Sequence, residues 1–120
     1  MSPFIKENDR VSVNVYYVEK DGNIEIVESF EEKKNINVIE FVFRKPNYKD
    51  SYDILKQLTS DNNIKSSVML QDVVLRKLLT DWSIEDEDKN KIKINDSTIS
   101  NLYPVIARKA SELLLEKIQI

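Results

Sequence analysis

The chain has 120 residues, 41% hydrophobic and 32% charged, with 18 Lys plus Arg against 21 Asp plus Glu for a net charge of −3, and it contains no His, no Cys and one Gly. These counts exclude Cys/His zinc sites, thiol nucleophiles, Ser-His-Asp triads and imidazole bases. A lone glycine cannot build a P-loop, a G-x-G-x-x-G dinucleotide turn or a G-x-S-x-G nucleophile elbow, and the charge balance lacks the basic excess of a nucleic-acid binder.

Ser2 to Arg10 is polar apart from Phe4 and Ile5, and residues 1–10 read as a flexible or docking arm. One α+β domain is expected over 11–120, with a β meander in 11–45 and a mainly helical part in 47–120. Val11, Val13, Val15 and Tyr17 alternate with Ser12, Asn14 and Tyr16, which places the first set on one face of a strand. Asp21-Gly22 is a strong hairpin signal, because Gly accepts positive φ without penalty. Ile24 and Ile26 resume the alternation in a strand expected to end near Phe30, and Glu31 to Asn35 reads as a solvated connection. The third strand, Ile36 to Arg44, carries Ile39, Phe41 and Phe43 on one face and Val38 and Val42 on the other, so both faces are partly apolar. A three-stranded antiparallel sheet is predicted, followed by three to four helices.

Pro46 blocks further strand pairing, and Asn47 is a good N-cap with Asp50 in the first helical turn. The helix Tyr48 to Leu58 is expected to turn Tyr48, Tyr52, Leu55 and Leu58 inward, and to stop at Thr59 to Asn63. A second helix is predicted from Ser66 or Ser67 to about Thr80, with Trp82 directly after it. The span Asp81 to Asn95 reads as a tight acidic loop followed by a short extended segment. Asn95, Asp96 and Ser97 offer caps for a short helix through Leu102, and Pro104 sits in the first turn of a last helix. There Tyr103, Ile106, Ala107, Ala110, Leu113, Leu114 and Ile118 form a stripe opposite Arg108, Lys109, Ser111, Glu112 and Glu116.

No constellation points to catalysis. The run Glu85 to Asp88 has the oxygen donors a hard cation takes, but an EF-hand counted from Asp86 needs Gly at position 91 and Glu at 97, where the chain has Lys91 and Ser97. A solvated acidic turn is the better reading. Glu25, Glu28 and Glu40 fall on strands expected to be half exposed, so nothing marks a buried acid for acid–base work. Arg44, Lys45 and Lys49 beside Tyr48 and Tyr52 have the makings of a platform for single-stranded nucleic acid, but helical spacing favours tyrosine rings in the core. Trp82 is a candidate interface anchor, although capping the core beside the second helix is the better reading. The last helix is apolar on more than one face, so Leu115, Ile118 and Ile120 join Trp82 as candidate partner contacts. No catalytic residue, metal, cofactor, small-molecule substrate or membrane is expected, and nucleic acid is not the expected partner. No apolar stretch approaches the ~20 residues that span a bilayer and residues 1–10 lack a signal-peptide core, so a cytosolic protein is the expectation.

The segments Leu78-Leu79-Thr80-Asp81-Trp82, Glu85-Asp86-Glu87-Asp88, Ile92-Lys93-Ile94-Asn95, Ile99-Ser100-Asn101-Leu102 and Ala107 through Ile118 form a series: a helix ending in Trp, an acidic turn, a short strand, a capped helix and a last Ala- and Leu-rich helix. In this, the stretch from Val74 to Ile120 resembles the C-terminal part of small assembly proteins of tailed bacteriophages, the tail assembly chaperones and baseplate-hub assembly proteins. Phe43 to Asp50 also resembles the R-x-P lead-in to the first helix of that group. Lys89 stands where the group usually has Gly, and the N-terminal hairpin lies outside the pattern. The resemblance implies a non-enzymatic role in tail or baseplate assembly through contacts with other tail proteins, in the host cytoplasm or the virion. Rival readings are a structural virion subunit that extends a neighbour's sheet, and an acidic regulator that masks a nucleic-acid-binding protein.

Overall fold

A computed structural model describes residues 2–28, 35–59 and 66–120. The chain runs β1 (Arg10–Lys20), β2 (Asn23–Val27), β3 (Asn37–Arg44), α1 (Tyr48–Thr59), α2 (Ser66–Leu78), β4 (Leu79–Trp82), α3 (Asp96–Ser100) and α4 (Pro104–Lys117). The fold is α+β, as the sequence predicts, with an antiparallel sheet followed by helices. The expected end of the second strand at Phe30, residues 31–34 of its connection and the stop of the first helix over 60–63 lie outside the described residues.

Asp21 and Gly22 both have positive φ, 53° and 80°, the requirement of a type I′ hairpin, and they join β1 to β2 with Lys20 opposite Asn23. The sheet is not a meander. Its order is β2-β1-β3-β4, with β1 rather than β2 beside β3. The length of β1 explains this: along its 11 residues Tyr16 to Lys20 pair with β2 on one edge and Arg10 to Tyr17 pair with β3 on the other, Tyr16 and Tyr17 being paired on both.

The sheet also has a fourth strand that the sequence reading missed. α2 ends at Leu78, and Leu79 to Trp82 turn into β4, with Phe41 opposite Trp82, Val42 opposite Asp81 and Phe43 opposite Leu79. The register shifts between Val42 and Phe43, and the Thr80 hydroxyl donates to the Val42 carbonyl at 3.0 Å. Four residues are too few to display a period of two, and Leu78-Leu79 continues the helical pattern of α2.

One face of the sheet, with Val13 and Val15 of β1 and Ile39, Phe41 and Phe43 of β3, forms the core with Leu75 and Leu78 of α2 and Ile106, Ala110 and Leu114 of α4. On the opposite face Val38 is exposed and Val42 half-buried, so β3 reads correctly as a strand with two partly apolar faces. Ser111 corrects the expected polar side of α4. It is buried, and its hydroxyl donates to the carbonyls of Ala107 at 2.9 Å and Gln71 at 3.2 Å, which lets a polar residue sit where α2 and α4 meet. α3 is fixed by a reciprocal capping box in which Asn95 Oδ1 accepts from the Thr98 N–H and Thr98 Oγ1 accepts from the Asn95 N–H, both at 2.9 Å.

The acidic segment forms a closed turn. Glu85 bridges Lys91, and Asp86 Oδ1 accepts from the N–H groups of Asp88 at 2.9 Å and Asn90 at 3.0 Å. Lys89 adopts φ 62°, a left-handed conformation that glycine takes more easily. At the end of the arm the Asp9 carbonyl accepts from the Lys45 N–H at 3.1 Å, while Phe4 is 79% exposed.

Candidate interaction surface

The surface begins with an inversion of α1. The helix is capped as predicted: Asn47 Oδ1 accepts from the Asp50 N–H at 2.9 Å, and Asp50 Oδ2 accepts from the Asn47 N–H at 3.1 Å. Asp50 also receives the Arg44 guanidinium in a two-pronged ion pair, with Nη1 on Oδ2 and Nη2 on Oδ1 at 2.9 Å. That hydrogen bonding holds the Asp50 carboxyl below its ordinary pKa and the Arg44 guanidinium above its own, against the opposing effect of burial. Arg44 is the last residue of β3, so the pair turns Asp50 inward and fixes the roll of α1 about its axis. One turn on, Ile54 is fully buried, and one turn further Leu58 is half-buried.

Of the stripe expected in the core, Leu58 packs against it, while the other three are turned to solvent: Tyr48 is 88% exposed, Tyr52 57% and Leu55 47%. The helix has two apolar stripes, Tyr48/Tyr52/Leu55 and Ile54/Leu58, and spacing alone does not say which faces the core. The discriminating signal was Asp50, one turn before Ile54 and six residues after Arg44.

Tyr48 also forms a wall of a groove of about 550 Å³, shared with Ile5 of the arm, Pro46 of the β3–α1 connection, and Ile118 and Ile120 beyond α4. Ile118 leaves α4 in an extended conformation, φ −120° and ψ 161°, which lays the last residues beside the start of α1. Lys117, at the end of α4, donates from Nζ to the Ser12 carbonyl at 2.9 Å and so anchors this end of the helix to β1. Lys45, Lys117 and Glu116 bring charge to the groove.

Of the four residues expected to meet a partner, Ile118 and Ile120 come together in this groove. Leu115 and Ile118 are both half-buried and pack against the core. Trp82 lies elsewhere and is 2% exposed. Its indole N–H donates to the Ile92 carbonyl at 2.7 Å and its ring meets Phe41 edge-on, so in this structure it is a core residue and not a surface anchor. Trp82 is the last residue of β4 and stands opposite Phe41, which places it in the core as the core-capping reading expects.

The basic-aromatic set divides in the same way. Arg44 is taken up by Asp50, the two tyrosine rings lie outside the core rather than in it, and Lys45 and Lys49 have no ion-pair partner among the described residues. Glu25 and Glu40 are exposed, and the Glu28 side chain, 83% exposed, lies 3.7 Å from Lys109. Asp81 is held below its ordinary pKa by a hydrogen bond from Lys91 Nζ at 2.9 Å. Among the described residues no three carboxylates converge on a point that would hold a metal ion, and no helix is long and apolar enough to cross a membrane.

No protein-family profile, curated protein or solved structure matches the chain.

Proposed function

We propose that this is a non-enzymatic assembly protein of a bacteriophage tail or baseplate, acting in the host cytoplasm or within the virion through protein–protein contacts. The phage assignment rests on the resemblance of residues 74–120. The contact mechanism rests on one structural observation, the continuous exposure of Tyr48, Tyr52 and Leu55 beside the groove that holds Ile118 and Ile120. Large apolar side chains grouped on one face of a folded chain mark a place where another molecule removes them from water. Tyrosine suits that role because its ring adds apolar area while its hydroxyl remains hydrated in the free protein. The mechanism is burial of this face against a tail or baseplate protein, which either holds that partner until assembly or remains with it.

The test is co-expression of the full chain with each tail and baseplate protein encoded in the same genome, followed by size-exclusion chromatography. The expected result is a stable complex with one of them. Failure to form a complex with any of them would overturn the proposal.

A further inference from the structure

We infer that α1 is a latched element, which undocks as one unit while the sheet, α2 and α4 stay closed, with two ion pairs setting how often it opens. The inference concerns the free chain and does not rest on the assembly reading.

Three observations carry it. First, α1 is less embedded than α4. α4 packs against β1, β2 and α2, whereas α1 packs chiefly against α2. Over residues 48–58 Ile54 is the one hydrophobic side chain buried in the core, with Leu58 packed against it. Elements with few buried apolar side chains open locally at the lowest cost. Second, the other elements hold one another without α1. β3 pairs with β1 and β4, β4 continues directly from α2, and α2 packs on α4.

Third, α1 is fastened to two different neighbours by carboxylates one turn apart. Asp50 takes the Arg44 guanidinium at the end of β3, and Asp53 Oδ2 accepts from Lys77 Nζ of α2 at 3.4 Å. Each pair has a partly exposed member, Arg44 at 33% and Asp53 at 36%, so water replaces the partner when the helix leaves and no charge is stranded in the core. The Asn47–Asp50 capping box lies on the helix side of the break and travels with α1, which keeps the start of the helix closed. Undocking also parts Tyr48, Tyr52 and Leu55 from Ile118 and Ile120, which stay behind with α4.

The experiment is amide hydrogen exchange on the full chain, followed residue by residue by NMR at low urea concentrations. The amides of Ile54 to Leu58 are expected to share one opening, about a hundredfold or more as frequent as that of the slowest amides of β1 and β3, and less sensitive to urea because it exposes less surface. Asp50→Asn keeps an acceptor for the cap and loses the charge. It should speed Ile54 to Leu58 by about tenfold, and the β1 and β3 amides by the same factor, because complete unfolding also breaks the pair. Lys77→Gln, which leaves Asp50 and its cap untouched, should speed them by about two- to threefold. Ile39→Val, five residues before Arg44 in β3, should speed the β1 and β3 amides by about threefold and leave those of α1 unchanged.

A common opening frequency and urea dependence for α1, β1 and β3 would overturn the inference, as would acceleration of α1 by Ile39→Val. So would a gradient along α1 in which only the last turn is fast, since that is fraying of a helix end, or α1 rates that neither Asp50→Asn nor Lys77→Gln changes.

Discussion

Replacing Trp82 by Phe separates a core residue from an interface residue, because the two roles give opposite readouts. Trp82 is 2% exposed, its indole N–H donates to the Ile92 carbonyl at 2.7 Å, and its ring meets Phe41 with centroids 6.4 Å apart. Phe retains the six-membered ring but removes the pyrrole part and the donor. The cavity left in a packed core contributes about 1–2 kcal/mol of destabilisation and the lost hydrogen bond about 1 kcal/mol more, for a total of about 2–3 kcal/mol. An unfolding entropy of about 2.1 cal/mol/K per residue makes each kcal/mol worth about 4 °C at this length, so the melting temperature is expected to fall by about 8–12 °C. The measurement is thermal unfolding followed by far-ultraviolet circular dichroism, alongside partner binding at a temperature where both proteins are folded. Binding should be unchanged. A shift below about 3 °C together with loss of binding would refute the core assignment and return Trp82 to the surface.

The roll of α1 predicts a contrast between adjacent residues: Ile54→Ala should cost about 2–5 kcal/mol in chemical denaturation, whereas Leu55→Ala and Tyr52→Ala should each stay within about 1 kcal/mol. Asp50→Asn should destabilise by about 1–3 kcal/mol, below the range for a fully buried pair because the Arg44 side chain is 33% exposed. Since the folded protein holds the Asp50 pKa below its unfolded value, the stability it contributes is present above the ordinary aspartate range and is lost as pH falls through the depressed folded value. Denaturant midpoints measured between neutral and acid pH should therefore converge for the wild type and Asp50→Asn toward the acid end. Lys89→Gly, at a position with φ 62°, should leave the fold intact and raise stability by up to about 1 kcal/mol in thermal melts, because the left-handed conformation no longer strains a side chain.

The sequence revealed most where a local rule operates alone. The Asp21-Gly22 hairpin, the Asn47 and Asn95 caps, Pro104 at the start of α4 and the inward face of β3 follow from turn chemistry, capping and alternation, none of which depends on distant residues. It revealed least where two elements compete or meet. α1 has two apolar stripes, and the choice between them is made by Arg44 reaching across from β3 to Asp50. β4 is visible only against β3, since its side chains find their roles through Phe41 and Phe43 and not through their own periodicity. The placement of β1 between β2 and β3 likewise depends on the pairing capacity of a long strand. At the interaction surface, Ile118 and Ile120 were legible as apolar residues at the end of a helix already apolar enough. Their apposition to Tyr48, Pro46 and Ile5 was not, because it joins both ends of the described chain to the β3–α1 connection.

The central claim is that this chain works through the exposed face of α1 and the adjoining groove. The most direct test is the double variant Tyr48→Ala/Tyr52→Ala, measured for affinity toward the proposed tail or baseplate partner by titration calorimetry. Two exposed aromatic anchors at about 2 kcal/mol each predict a loss of several hundredfold or more, with a melting temperature within about 4 °C of the wild type. Retention of wild-type affinity by a folded double variant would contradict the account.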